Sequence, residues 1–109
     1  MKIAVATNRK EVSPHFGHCL SFTVAEIEDG KVLKKEEVPN PGHQPGFLPK
    51  FLAEIGINCI IAGGMGQSAQ MLFAQSGIKV VTGAYGLVDD VIKGYVEGNL
   101  SLGENICDH

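Results

Sequence analysis

Long hydrophobic runs are absent from this 109-residue sequence. That excludes a membrane-spanning helix, which needs about 20 consecutive apolar residues. Positive charge is not in excess either: the net charge is -3, so no global basic field exists to hold a nucleic-acid backbone. Cysteine is scarce, odd in number and scattered, at Cys19, Cys59 and Cys107. A disulfide-stapled secreted domain has an even and denser set. The stretch Met1-Lys2-Ile3-Ala4-Val5-Ala6-Thr7 lacks the long apolar region and small-residue cleavage site of a signal peptide, so a reduced, cytoplasmic protein is expected. With 44% hydrophobic and 19% charged residues, the chain reads as one globular domain over residues 1–109. Residues 98–109 have no strong pattern and are expected to form a flexible tail.

Apolar periodicity organises the rest. Ile3 to Ala6 is a short uninterrupted apolar run, the signature of a strand buried on both faces. Asn8 to His18 reads as a polar loop. Leu20 to Glu28 alternates, with Leu20, Phe22 and Val24 on one face and Thr23, Ala25 and Ile27 on the other. Asp29-Gly30 signals a tight hairpin, and the return strand Lys31 to Val38 carries the charge that suits an exposed sheet edge. The Pro- and Gly-rich stretch 39–46, which contains His43, is a crossover loop. Phe47, Leu48, Phe51, Leu52 and Ile55 follow helical spacing up to Gly56. Ile57 to Ala62 and Ile78 to Thr82 read as two further buried strands. Helices follow each, near Gln67 to Ser76 and along the stripe Leu87, Val88, Val91, Ile92, Tyr95 and Val96. The order β-β-β-α-β-α-β-α predicts an α/β fold with helices on both faces of a five-stranded mixed sheet. Its strand order is 3-2-1-4-5, with strand 2 antiparallel, which is the arrangement of the ribonuclease H-like motif.

In such a sheet, ligands bind beyond the carboxyl ends of the parallel strands. Three loops leave those ends: Asn8 to His18, Gly63-Gly64-Met65-Gly66 and Gly83-Ala84-Tyr85-Gly86. Two are glycine-rich and open helices, where unpaired N–H groups favour an anion. Each taken alone is equally explained as a tight turn; their convergence at one edge favours a site. The glycines do not form a Walker loop, because no Gly-Lys-Ser/Thr follows, and they do not form a dinucleotide fingerprint. A two-metal nuclease needs carboxylates on the first strand, and Ile3 to Thr7 has none. No residue is marked as a nucleophile, so the chain is read as not being an enzyme.

The first loop supplies donors instead. Ser13-Pro14-His15-Phe16-Gly17-His18-Cys19 displays His15 at a stiffened tip, with His18 and Cys19 close behind. Cys19 is equally a small buried residue at a strand start. Cys59 sits within an apolar strand and reads as core. Met65 either plugs its turn against the core or offers a thioether to a soft ligand. The final Cys107-Asp108-His109 is either plain tail or a thiolate–imidazole pair suited to iron or zinc.

These motifs together resemble the dinitrogenase iron–molybdenum cofactor biosynthesis family, the NifX/NifB-like group of small domains. The resemblance rests on Ser13-x-His15-Phe16-Gly17-x-Cys19-x-x-Phe22, then Gly63-Gly64-Met65-Gly66, Gly77-Ile78-x-Val80 and Gly83-x-x-Gly86, and covers Lys2 to Gly98. It implies a carrier, not a catalyst, that binds iron–sulfur precursors of the nitrogenase cofactor or the cofactor itself, with His15 matching the family's proposed cofactor-binding histidine. The resulting expectation is a cluster carrier with donor and acceptor protein partners and no nucleic-acid or membrane partner. His15 is the ligand, and His18, Cys19, Cys107 and His109 are further candidate ligands. The backbone at Gly63, Gly64, Met65, Gly66, Gly83 and Gly86 faces the cargo. The alternative is a regulatory module that binds a phosphate-bearing small molecule at the same glycine turns.

Overall fold

The strand β1 (Lys2–Asn8) is the centre of the molecule. Ile3, Ala4, Val5 and Ala6 are all fully buried, because both faces of this strand meet a core. Ala4 and Ala6 join one apolar cluster, and Ile3 and Val5 join another. The computed structural model describes residues 1–42 and 46–103.

β1 pairs antiparallel with β3 (Ser21–Glu28) and parallel with β5 (Cys59–Ile61). Ala4 lies opposite Val24 on one side and Ile60 on the other. β3 turns at Asp29-Gly30 into β4 (Lys31–Pro39), an edge strand exposed along almost its whole length. Both turn residues have positive φ, 53° at Asp29 and 73° at Gly30, as a two-residue hairpin that matches strand twist requires. On the far side, β5 pairs parallel with β6 (Lys79–Val81). The sheet runs β4-β3-β1-β5-β6, with a short strand β2 (Glu11–Val12) attached to β1 off this path.

β2 corrects the expected count of five strands. Residues 8–12 were expected to be loop, yet Thr7 pairs with Val12 and Asn8 with Glu11 across an Arg9-Lys10 turn. A two-residue strand has no period to read, and Arg9 adopts φ 61° without being one of the small turn residues that announce such a conformation. Leu20 is a second correction. It lies outside β3 and is 63% exposed, so the alternating face begins at Phe22. Leu87 likewise caps the last helix rather than joining its buried stripe.

Helices α1 (Phe47–Glu54) and α2 (Gln67–Gln75) cover one face, where Leu48, Leu52 and Phe73 meet Ala4, Ala6, Phe22, Val24 and Ile60. α3 (Val88–Glu97) covers the other, where Val88, Val91 and Ile92 meet Ile3, Val5, Cys59 and Ile61. Each such large side chain contributes about 1.5–3 kcal/mol through burial. Among the described residues no helix is long and apolar enough to cross a membrane.

Candidate functional site

The three parallel strands end on the same side, and the segments that leave them are hydrogen-bonded into one unit. The Gly63 amide donates to the Ser13 carbonyl at 3.0 Å, and the Phe16 amide donates to the Gly64 carbonyl at 2.9 Å. The second glycine turn is tied in the same way. The Gly83 amide donates to the Gly63 carbonyl, and the Val12 amide donates to the Gly86 carbonyl, both at 2.9 Å. The histidine loop is therefore seated directly on the Gly63–Gly66 turn.

Gly63 is where these backbones come closest. A Cβ there would lie 2.9 Å from the Pro14 Cα and 3.0 Å from the Ser13 carbonyl oxygen, so no side chain fits. Gly83 is crowded from the opposite direction. The Gly103 amide donates to its carbonyl at 2.7 Å, and a side chain at Gly83 would collide with the Gly103 carbonyl. A cleft of about 300 Å³ lies between these turns, with Pro14, Tyr85, Gly86 and Gly103 among its walls.

The amides of Gly63 and Gly83 are thus committed to holding the loops together. Those of Gly64, Tyr85 and Gly86 have no hydrogen-bond partner among the described residues. The two helix starts also differ. α2 has no acidic residue in its first turn, whereas α3 has Asp89 and Asp90 there, which oppose an approaching anion. The Gly63–Gly66 turn is the more anion-friendly of the two.

His15 stands at the loop tip, exposed, just before a single 3-10 turn over Phe16–His18. The His15 and His18 rings meet edge to face, with centroids 6.3 Å apart. Phe16 points the other way and is buried against Phe22 and Phe73. The loop therefore presents imidazoles outward from an aromatic anchor.

Cys19 is not presented with them. Its side chain is buried in the cluster beneath α1 and α2, where the Asn40 Nδ2 donates to its carbonyl at 2.9 Å and lies 3.7 Å from its Sγ. Burial pushes its thiol up to about 11, which keeps it protonated at neutral pH. Cys59 is buried in the other cluster, with its thiol also raised by burial. Met65 is 1% exposed and packed in the core, as the plug of its turn. Among the described residues, no three His, Cys, Asp or Glu side chains gather as a metal cage. Cys107 and His109, the last six residues of the expected tail, and His43 lie outside the described residues.

Two residues of the loop carry more structure than their sequence announces. The Ser13 side chain is buried and bonded to both the amide and the carbonyl of His15, and Asn8 in turn bonds Ser13. Serine beside proline reads as ordinary loop; only the fold brings Asn8 to it.

Comparison with known proteins agrees with this architecture. The model of the family described as "Dinitrogenase iron-molybdenum cofactor" matches residues 1–98. An uncharacterised protein of Methanocaldococcus jannaschii, MJ0580, is 36% identical over an alignment of 105 residues, with 92% of this chain and 89% of that one covered. The crystal structure of PH0822 superposes with a TM-score of 0.89 at 35% identity, covering 94% of each chain. The apo form of the orange protein from Desulfovibrio gigas superposes with a TM-score of 0.76 at 24% identity, over 95% of this chain and 93% of that one, and shares the fold. With the family model spanning all six strands and three helices, the chain belongs to the dinitrogenase iron–molybdenum cofactor family.

Proposed function

We propose that this protein is a non-catalytic carrier of an anionic iron–sulfur or iron–molybdenum type cluster, or of its precursor, in cofactor biosynthesis. The observation that carries the reading is the seating of the exposed His15 loop on the Gly63–Gly66 turn, through the 2.9 Å bond from the Phe16 amide to the Gly64 carbonyl. An imidazole supplies one metal bond. The amides of Gly64, Tyr85 and Gly86 supply oriented dipoles for the sulfides. His18, edge to face with His15, is the second imidazole within the loop. Gly63 and Gly83 serve by letting the backbones approach, and Met65 by filling the turn.

Cys107 and His109 are proposed as a second clamp. Gly103 is held at the Gly83 turn, so the final segment starts at the site. Four residues from Gly103 to Cys107 reach at most about 14 Å. Cys19 is the least suited of the candidate ligands, because ligation requires a thiolate and its thiol is pushed up to about 11. The family's namesake cofactor is the reason for reading the cargo as a metal–sulfur cluster rather than a single ion. We also read the sheet as the ribonuclease H-like motif. Strand β1, Lys2–Asn8, has no carboxylate, which argues against two-metal hydrolysis at its end. Donor and acceptor proteins and a cytoplasmic setting complete the proposal.

The test is anaerobic incubation with iron and sulfide, followed by desalting, metal analysis and a visible spectrum. Retained iron and sulfide with a coloured product supports the reading. A colourless protein that retains neither contradicts it, and stabilisation by a nucleotide instead would point to a phosphate ligand at the glycine turns.

A further inference from the structure

Ser13 is 1% exposed although Pro14 and His15 on its C-terminal side are both at the surface. Its hydroxyl donates to the His15 carbonyl at 2.8 Å, and accepts from the His15 amide at 3.3 Å and from Asn8 Nδ2 at 3.3 Å. A hydroxyl has one proton and two lone pairs, so this set saturates it. Its backbone is equally occupied. The Ser13 amide donates to the Ala6 carbonyl at 2.7 Å, and its carbonyl accepts from Gly63. Asn8 closes the base of the loop, since its Oδ1 accepts from the Leu20 amide at 3.0 Å while its Nδ2 holds Ser13. A chain of bonds thus runs from the end of β1 through Asn8 and Ser13 to the peptide groups on both sides of His15.

We infer that Asn8 and Ser13 are positioning residues for His15, fixing its backbone so that the imidazole is presented in one direction to the cargo. The inference rests on the carrier reading, in which His15 is the metal ligand. Both side-chain bonds that Ser13 makes within the loop are to His15 itself. A ligand whose backbone is held beforehand loses less freedom on binding, so the network lengthens the time the cargo stays bound.

The experiment loads the full chain anaerobically with iron and sulfide and measures release of iron to a ferrous chelator. Ser13→Ala, Asn8→Ala, His15→Ala and the Ser13→Ala/His15→Ala double variant are compared with the parent. Release from Ser13→Ala is expected to be about tenfold faster than from the parent, as is typical when a partner that orients a metal ligand is removed. Asn8→Ala should show a smaller acceleration in the same direction. The double variant should release no faster than His15→Ala alone, because Ser13 acts through the imidazole. Hydrogen exchange of the His15 amide should speed up in Ser13→Ala and Asn8→Ala, while the β1 and β3 amides keep their protection. Additive effects in the double variant, or unchanged release in both single variants, would overturn the inference while leaving the carrier reading intact. Should Ser13→Ala fail to fold, Asn8→Ala carries the comparison. If His15→Ala itself retains iron as well as the parent, the carrier reading falls, and this inference falls with it.

Discussion

Phe16 and Phe73 meet edge to face, with ring centroids 5.2 Å apart and planes at 78°. Through that contact the histidine loop is bolted to α2, the helix that the Gly63–Gly66 turn opens. An exposed imidazole and a buried ring are adjacent in sequence, and each depends on the other. The ring fixes the loop, and the Phe16 amide, through its bond to the Gly64 carbonyl, seats the loop backbone next to His15 on the turn.

Phe16→Ala should therefore cost stability and site together. Emptying a buried phenylalanine site typically costs about 3–5 kcal/mol. Urea unfolding at neutral pH should show that loss. Cluster retention by the remaining folded protein should fall as well, because the loop tip loses its anchor. Phe16→Leu should recover most of the stability.

Gly63 and Gly86 separate close approach from backbone strain. Gly63→Ala forces a Cβ to within 2.9 Å of the Pro14 Cα, backbone that cannot step aside as a flexible side chain would. A cost of about 1–3 kcal/mol is expected from such overpacking, with the His15 loop displaced. Gly86 has φ 89° and open space around it, so Gly86→Ala should cost about 1–2 kcal/mol through strain alone. Thermal unfolding of the two variants, together with the chemical shift of the Phe16 amide, distinguishes these cases. Only Gly63→Ala should move that amide.

Alkali should destabilise the fold. Burial pushes the Cys19 thiol up to about 11 and the Tyr95 phenol up to about 12, and it raises the Cys59 thiol as well. In the unfolded chain these groups ionise at their ordinary, lower values, so the native state holds protons that the unfolded state has released. Stability from these groups is complete below pH 9, and it falls as pH rises through the window between their unfolded and folded values. Denaturant midpoints measured between pH 8 and 11.5 should decline, and Cys19→Ala should flatten the lower part of that slope.

Cys59→Ser should harm folding without touching the cargo. Its site is fully buried among Ile3, Val5, Ile61 and α3. A serine hydroxyl placed there without a full set of partners costs about 1–3 kcal/mol. Iron retained per folded molecule should equal that of the parent.

Much of this molecule is legible from its residues. The apolar runs at Ile3 to Ala6 and Ile57 to Ala62 hold the central strands β1 and β5, which are buried on both faces. The run Ile78 to Thr82, expected to be another fully buried strand, instead holds β6 at the edge of the sheet, where Lys79 is exposed and Val80 and Val81 are half-buried. Asp29-Gly30 announces its hairpin by composition. What escaped is β2 and the network beneath His15. Arg9-Lys10 is a turn with no turn residue in it. Asn8, Ser13 and Leu20 are brought together only by the pairing of β1 with β2 and β3, so no local spacing could join them. The same holds for Cys19, whose proximity to two histidines suggests a shared ligand set. The chain direction after the 3-10 turn instead carries its thiol into the core.

The central claim is that His15 holds the cargo, and iron retention by His15→Ala is its most direct measurement. Parent and variant are loaded side by side with iron and sulfide without oxygen, desalted, and assayed for iron, sulfide and visible absorption. A Cys107→Ser/His109→Ala double variant is included for the proposed second clamp. The expected order is most retention in the parent, an intermediate level in the tail variant, and the least in His15→Ala, about tenfold or more below the parent. Equal retention by His15→Ala and the parent at neutral pH would contradict the account, since no backbone amide at the glycine turns can replace a metal bond.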